Sequence, residues 1–137
     1  MNVPDTSVLI AGFDSTHPSF VSAARALGET RRSGVLVSHT IAETFAVLSA
    51  PGGPYPATTA DVLAYLDQFL TRKPVGLSPG RYPAAVRELA AAGVSGGAVY
   101  DGLIAIAARQ SGADLVSLDA RASQTYQRVG ARFSLLS

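Results

Sequence analysis

Four acidic residues carry the chemistry that this sequence suggests: Asp5, Glu43, Asp101 and Asp119. Asp101 is the one acid of an otherwise apolar helical segment, where a carboxylate must be hydrogen-bonded, paired or metal-bound to stay charged. Carboxylate oxygens without His or Cys partners select Mg²⁺ or Mn²⁺ rather than zinc. Such ions polarise a phosphodiester and orient water for in-line attack. If the four acids meet, they are best suited to metal-dependent phosphodiester hydrolysis.

Two of the acids follow predicted β-strands. Val3 opens a short apolar strand that carries Asp5 at its carboxyl end, and a helix is predicted near residues 7–12. The run 114–118 predicts a second, central strand that ends at Asp119 in the same way. A continuous apolar run at 35–37 is typical of a central parallel strand. A last strand, at the edge of the sheet, is predicted at 133–136.

The other two acids lie near predicted helix starts. Glu43 falls in the first turn of a helix that opens at 38–40, and Asp101 in the first turn of a nearly apolar helix at 95–109. Alternating strands and helices imply parallel strands with right-handed crossovers. In that topology strand carboxyl ends and helix amino ends share one edge, so we expect all four acids there.

Each acid also has a purely structural alternative. Asp5, followed by Thr6 and Ser7, is typical of helix N-capping. The segment Thr40–Glu43 matches a capping box, in which the glutamate bonds back to the cap. For Asp101 the structural and functional interpretations are evenly balanced. It is the recurrence of acids at equivalent places in the chain that favours a shared site.

Composition limits the class of protein. The 137 residues fit one domain, residues 1–137, with 47% hydrophobic and only 15% charged residues, as in an α/β sandwich or an oligomer. The net charge of +1 is too small to argue for a nucleic acid partner by itself. The chain has no cysteine, no signal segment and no apolar run of membrane-spanning length. We therefore expect a soluble, cytoplasmic protein without disulfides.

The acidic segments resemble a known family. The segments Asp5–Ile10, Ala42–Phe45, Tyr100–Ala105 and Leu118–Arg121 are similar, in order and spacing, to the four acidic motifs of PIN-domain ribonucleases. The compact length resembles the VapC-type toxins of toxin-antitoxin pairs. The resemblance implies a three-layer α/β fold whose central, mostly parallel sheet is flanked by helices. It also implies a Mg²⁺-dependent endoribonuclease, with Mn²⁺ possible, that cuts single-stranded tRNA, rRNA or mRNA and leaves 3′-hydroxyl and 5′-phosphate ends.

The resemblance assigns roles to individual residues. Asp5 and Asp101 would be the principal metal ligands, Glu43 and Asp119 would complete the acidic site, and Thr6 would support it. It further implies a homodimer and a VapB-type antitoxin that covers a groove formed by helices within 18–30 and 40–70. Five cations are candidates for contacts to RNA phosphates, although each is equally well explained as a solvated helix end: Arg25, Arg31, Arg32, Arg72 and Lys73.

Three other functions are compatible with parts of the sequence. A receiver-type signalling module needs a lysine near its acids, and the single lysine, Lys73, lies beside a proline at a helix end. An aspartyl phosphatase usually has a second Asp two residues after the first, where this chain has Ser7. The stronger alternative is a PIN domain that is not a toxin, and that acts in RNA maturation or binds RNA or metal without cleavage. The RNA target is not encoded in any short motif.

Overall fold

A computed structural model describes all residues, 1–137. Its sheet has three parallel strands in the order β1-β2-β3. The strands are β1 (Asn2–Pro4), β2 (Asp114–Ser117) and β3 (Phe133–Leu135). Val3 lies opposite Leu115 in the register of β1 and β2. The prediction that the last strand lies at the edge of the sheet is confirmed, and so is the central position of the strand before Asp119.

Seven α-helices surround the sheet. They are α1 (Thr6–Phe13), α2 (Phe20–Ser33), α3 (Ser38–Leu48), α4 (Thr59–Asp67), α5 (Tyr82–Ala91), α6 (Ala98–Gln110) and α7 (Ala120–Arg128), with a 3₁₀ turn at Pro79–Arg81 before α5. None of these helices combines the length and hydrophobicity needed to cross a membrane. The predicted α/β architecture, a parallel sheet flanked by helices, is confirmed.

The alternation of side chains along the strands separates two cores. Leu115 packs into a cluster with Leu89 of α5 and Ile104 of α6. Its neighbour Val116 packs on the other face of the sheet, with Leu27 of α2. Each such aliphatic side chain stabilises the fold by about 1.5–3 kcal/mol when buried. The sheet is therefore held between helical layers, and its strand ends are left for other contacts.

Residues 35–37 do not form the central strand that their apolar run predicts. Val35 N donates to Asn2 O at 3.1 Å, and Val37 forms one isolated parallel bridge with Val75. The side chains of this segment still alternate between two faces, as they do in a strand. Val35 and Val37 pack in the α5–α6 core, and Leu36 packs in the core on the opposite face of the sheet. The segment forms no ladder because its three residues divide their backbone bonds between two neighbours: Val35 bonds to Asn2, whereas Leu36 O accepts from Val75 N at 3.0 Å.

Helix α3 begins at Ser38, within the predicted range 38–40, and its N-cap is Val37 rather than Thr40 of the capping-box alternative. Ser38 N donates to Val75 O at 2.8 Å, so the chain turns into a helix as soon as the extended segment ends. Thr40 is therefore inside the helix, its hydroxyl buried without a hydrogen-bond partner, and the proposed capping box with Glu43 is wrong. Glu43 lies in the second turn of α3, not in the first.

Candidate active site

All four acids line one cleft at the carboxyl edge of the sheet, as the topology predicted. The cleft has a volume of about 250 Å³. We call it the acid cleft and define it by the residues that line it: Asp5, Thr6, Ser7, Ile10, Glu43, Asp101, Ile104, Asp119, Ala122 and Tyr126. No lysine or arginine is among them, so no cationic side chain of the lining neutralises the acids.

Asp5 is the most tightly held of the acids. It follows β1 and is only 3% exposed. One carboxylate oxygen, Oδ1, accepts from Val8 N at 3.3 Å and from the Ser7 hydroxyl. The other, Oδ2, accepts from the Tyr126 hydroxyl at 2.8 Å. Asp5 is thus both an N-cap of α1 and a cleft residue, and its carboxylate has a fixed orientation.

Tyr126, which no sequence motif marks as a site residue, reaches the cleft from α7. Its side chain is 1% exposed, and burial, followed by the nearby Asp5 carboxylate, raises the pKa of its phenol. The hydroxyl therefore keeps its proton and donates to Asp5. Its signal in the sequence is slight: Tyr126 is the one large hydrophobic side chain in a helix of small and polar residues.

Ser7 also escaped sequence analysis as a site residue. Its hydroxyl donates to Asp5 and accepts from Leu118 N at 2.9 Å. It therefore links the start of α1 to the end of β2, between two of the acids. The signal available was a hydroxyl two residues after the acid, which capping alone would equally explain.

Asp101 occupies the first turn of α6, as predicted, and is partly buried. Burial raises the pKa of its carboxyl to about 6, and the charges of Glu43, Asp119 and Asp5 contribute in the same direction. His39 acts weakly in the opposite direction. Burial is the larger cause, and the added effect of the three other acids reflects their position around the same cleft.

The other two acids are held less firmly. Glu43 Oε1 accepts from the Thr6 hydroxyl at 3.3 Å and lies 3.9 Å from His39 Nε2. Asp119 is exposed at the rim, where its Oδ1 accepts from Arg121 N at 2.9 Å and caps α7. The Thr6 hydroxyl therefore connects α1 with the Glu43 carboxylate in α3.

The acids share the cleft without forming a compact ligand cluster. No group of three or more His, Cys, Asp or Glu side chains is close enough to hold a metal ion. The donor set nevertheless fits Mg²⁺, which keeps several waters and is commonly bound through only one or two carboxylates. A cation would also stabilise the charged form of Asp101, whose pKa is raised by burial and, to a smaller extent, by the neighbouring acids. Asp5 and Asp101, with Glu43 and Asp119 beside them, are the residues that could hold it.

The five cations suggested for RNA contacts are not brought to the acid cleft. Helix α2 runs back from the carboxyl edge, so its end lies beside Asn2 at the opposite edge. There Arg72 donates to the carbonyl oxygens of Gly34 and Arg32, and Arg31 donates to Gln68. Lys73 follows Arg72 directly in the chain, and Arg25 lies in a groove with Asn2 and Ser134. Their contact with RNA stays a prediction.

Known proteins resemble the chain in sequence. The family model described as "PIN domain" matches residues 3–127. Ribonuclease VapC40 of Mycobacterium tuberculosis is 36% identical over 137 residues, which are 100% of both chains. Ribonuclease VapC27 of the same species is 35% identical over 126 residues, 92% of this chain and 90% of the relative.

Solved structures share the fold. VapBC2 from Rickettsia felis, in a crystal structure bound to a DNA fragment from its promoter, has a TM-score of 0.66 at 20% identity and covers 99% of this chain and 98% of its own. PAE2754 from Pyrobaculum aerophilum has a TM-score of 0.64 at 20% identity, with 96% and 89% covered. With a family match across most of its length and full-length relatives above 30% identity, the chain belongs to the PIN-domain family, among its VapC-type ribonucleases.

Proposed function

We propose that this protein is the toxin of a VapBC-type pair, a Mg²⁺-dependent endoribonuclease that hydrolyses phosphodiester bonds of single-stranded RNA. One observation carries the proposal: four acids from distant parts of the chain line one cleft that no lysine or arginine lines. The similarity to two proteins named as VapC ribonucleases supports it. Mn²⁺ offers the same coordination chemistry and is the alternative metal.

Asp5 and Asp101 would hold the ion, and Glu43 and Asp119 would complete its acidic surroundings. When bound, Mg²⁺ would polarise the phosphodiester and orient water for in-line attack, leaving 3′-hydroxyl and 5′-phosphate ends. Tyr126 and Ser7 keep the Asp5 carboxylate oriented, so little reorganisation is needed when substrate enters. The acids repel phosphate without a cation, so productive RNA binding at the cleft requires their charge to be offset.

The proposed inhibitor is a VapB-type antitoxin that covers helices α2, α3 and α4. Each of these helices has an apolar side chain exposed to solvent: Val21 is 70% exposed, Val47 42% and Leu63 52%. These side chains would add apolar area to a surface that a partner covers. The VapBC2 structure from Rickettsia felis, which shares this fold, is consistent with such a partner. A homodimer of this chain belongs to the same proposal.

Induced expression and RNA cleavage test the function together. Growth is followed after induction of wild type, Asp5→Asn, Asp101→Asn and Asp67→Asn, and the purified proteins are incubated with total RNA in Mg²⁺ or EDTA. Asp67→Asn is the matched control, because Asp67 is exposed at the end of α4 and does not line the cleft. We expect growth arrest and cleavage from wild type and Asp67→Asn alone, with EDTA abolishing cleavage.

Two other results would redirect the assignment. Cleavage by wild type without growth arrest would favour a PIN ribonuclease that acts in RNA maturation. A folded wild-type protein that cuts no RNA in Mg²⁺ or Mn²⁺ would contradict the nuclease proposal, and metal titration would then test the cleft as a binding site.

A further inference from the structure

Two aromatic rings stack beside the acid cleft. The imidazole of His39 in α3 and the phenol ring of Tyr100 in α6 have centroids 5.5 Å apart and an interplanar angle of 6°. Tyr100 is 54% exposed, and the His39 side chain is 38% exposed. A ring as exposed as Tyr100 contributes little to the hydrophobic core, so packing alone does not explain the pair.

Both rings are tied to acids of the cleft. His39 precedes Glu43 by one helical turn, with Nε2 at 3.9 Å from Glu43 Oε1. Tyr100 directly precedes Asp101 and lies one turn before Ile104, which lines the cleft. The stacked pair therefore stands at the cleft rim between α3 and α6.

The acid cleft lacks cationic side chains that could bind the phosphates of RNA, and the aromatic pair offers a different kind of contact. No lysine or arginine lines the cleft, and the cations Arg31, Arg32 and Arg72 lie at the opposite edge of the sheet. Arg121 lies in an adjoining groove with Asp119, but inside the acid cleft RNA has no cationic side chain to bind and must gain affinity from other contacts besides the proposed metal ion. Aromatic faces that stack on unpaired bases are the usual non-ionic contact for single-stranded RNA.

We propose that His39 and Tyr100 form a stacking platform that holds a nucleobase of the RNA next to the phosphate to be cut. The inference rests on the proposed ribonuclease function and deepens it by naming residues that position substrate. The outer face of the Tyr100 ring receives the base, and His39 supports the ring from behind. Because stacking strength grows with ring area, the platform favours a purine over a pyrimidine at this position.

Binding of short single-stranded RNA oligonucleotides that contain 2-aminopurine tests the platform, because stacking on an aromatic ring quenches this fluorescent base. The variants are Tyr100→Ala, Tyr100→Phe and His39→Ala, with Tyr82→Ala as the matched control. Tyr82 is an exposed tyrosine of α5 that does not line the cleft. Binding is measured with and without Mg²⁺ in an Asp5→Asn background, which blocks cleavage, and KM and kcat are measured in the Asp5 protein.

We expect Tyr100→Ala to weaken binding about tenfold and to remove the quenching, within the range of one stacked base. KM should rise about tenfold while kcat changes little, since the platform positions RNA rather than reacting with it. Tyr100→Phe should restore both values, because it keeps the ring. His39→Ala should weaken binding less, and Tyr82→Ala should leave it unchanged.

The inference is overturned if wild type cuts RNA while Tyr100→Ala keeps the same Kd, KM and quenching. It is equally overturned if Tyr100→Ala loses affinity for a co-expressed partner protein but not for RNA, since the rings would then be a protein contact. If wild type cuts no RNA at all, the proposed function itself has failed, and the platform fails with it.

Discussion

At the amino edge of the sheet charged side chains are paired, whereas at the carboxyl edge acids gather without cationic partners. Arg109 binds Glu88 through two hydrogen bonds, at 2.6 and 2.9 Å, and Arg132 pairs with Asp114 at 2.7 Å. At the other edge, the acids of the cleft have only His39, which is 3.9 Å from Glu43.

The pKa of a carboxyl group is consequently shifted in opposite directions at the two edges. The Arg109 guanidinium lowers the pKa of Glu88, whereas burial and like charges raise the pKa of Asp101 to about 6. Pairing at the amino edge stabilises the fold, while crowding at the carboxyl edge destabilises it unless a cation is bound. The acid cleft is therefore organised for binding rather than for stability.

Asp101→Asn should separate activity from stability most strongly. We expect RNA cleavage to fall by about a thousandfold or more, since a proposed metal ligand is lost. In EDTA the variant should nevertheless be more stable than wild type at pH 7, by roughly 1–2 kcal/mol after solvent screening.

The sign of that effect follows from the raised pKa of Asp101. The folded state binds the proton more tightly than the unfolded state, so wild-type stability is lost as pH rises from about 4 to about 6. The amide has no such loss. Urea unfolding at pH 4 and pH 7 measures the difference, with Asp67→Asn as control. A variant less stable than wild type at pH 7 would contradict the crowding.

Gly34→Ala, at the amino edge, should lower the stability of the fold without changing the activity. A Cβ at residue 34 would lie 2.5 Å from Asn2 O and 2.8 Å from Thr30 Cα, which are backbone atoms that cannot rotate away. We expect a loss of about 2–3 kcal/mol in the free energy of unfolding, with cleavage per folded molecule unchanged. Gly80→Ala is the control, because nothing lies within 4 Å of its added methyl. Equal stability of the two variants would refute the close contact.

Tyr126→Phe tests Asp5, the acid whose two carboxylate oxygens both accept hydrogen bonds. The change removes the donor to Asp5 Oδ2 and leaves a buried carboxylate oxygen without that partner. We expect a loss of about 1–2 kcal/mol in stability, together with a smaller kcat because Asp5 is less firmly oriented. Unfolding and single-turnover cleavage measure the two effects. Tyr82→Phe, at an exposed tyrosine, should change neither, and a wild-type kcat in Tyr126→Phe would remove the positioning role.

Glu88→Gln should have the smallest effect, because both partners of the Arg109 pair are partly exposed. We expect a loss of at most about 1 kcal/mol at pH 7. The pKa of Glu88 is lowered in the folded state, so its contribution is present above about pH 5 and is lost as pH falls through that lowered value. Unfolding at pH 7 and pH 3, with the exposed Glu29→Gln as control, checks this. A difference that does not shrink between pH 7 and pH 3 would exclude the ion pair as its cause.

Much of the site was predictable because strand order constrains it. Parallel strands bring their carboxyl ends to one edge, so Asp5 and Asp119 could be placed together from local patterns alone. Asp101 followed from its position in the first turn of an apolar helix. The start of α3 was predicted within 38–40, but its cap at Val37 was not, because the bond from Ser38 N to Val75 O, between segments far apart in the chain, ends the extended run there.

The sequence by itself determined the alternating hydrophobic pattern, the acids and the family that their spacing resembles. The tertiary structure alone decided which side chains meet across elements. Tyr126 reaches Asp5 from the other end of the chain, and His39 stacks on Tyr100 across two helices. The direction of α2 likewise decided that Arg72, which donates to Gly34 O at the end of that helix, lies at the edge away from the acids. Such contacts depend on packing between distant segments, and no local pattern of residue types encodes that packing.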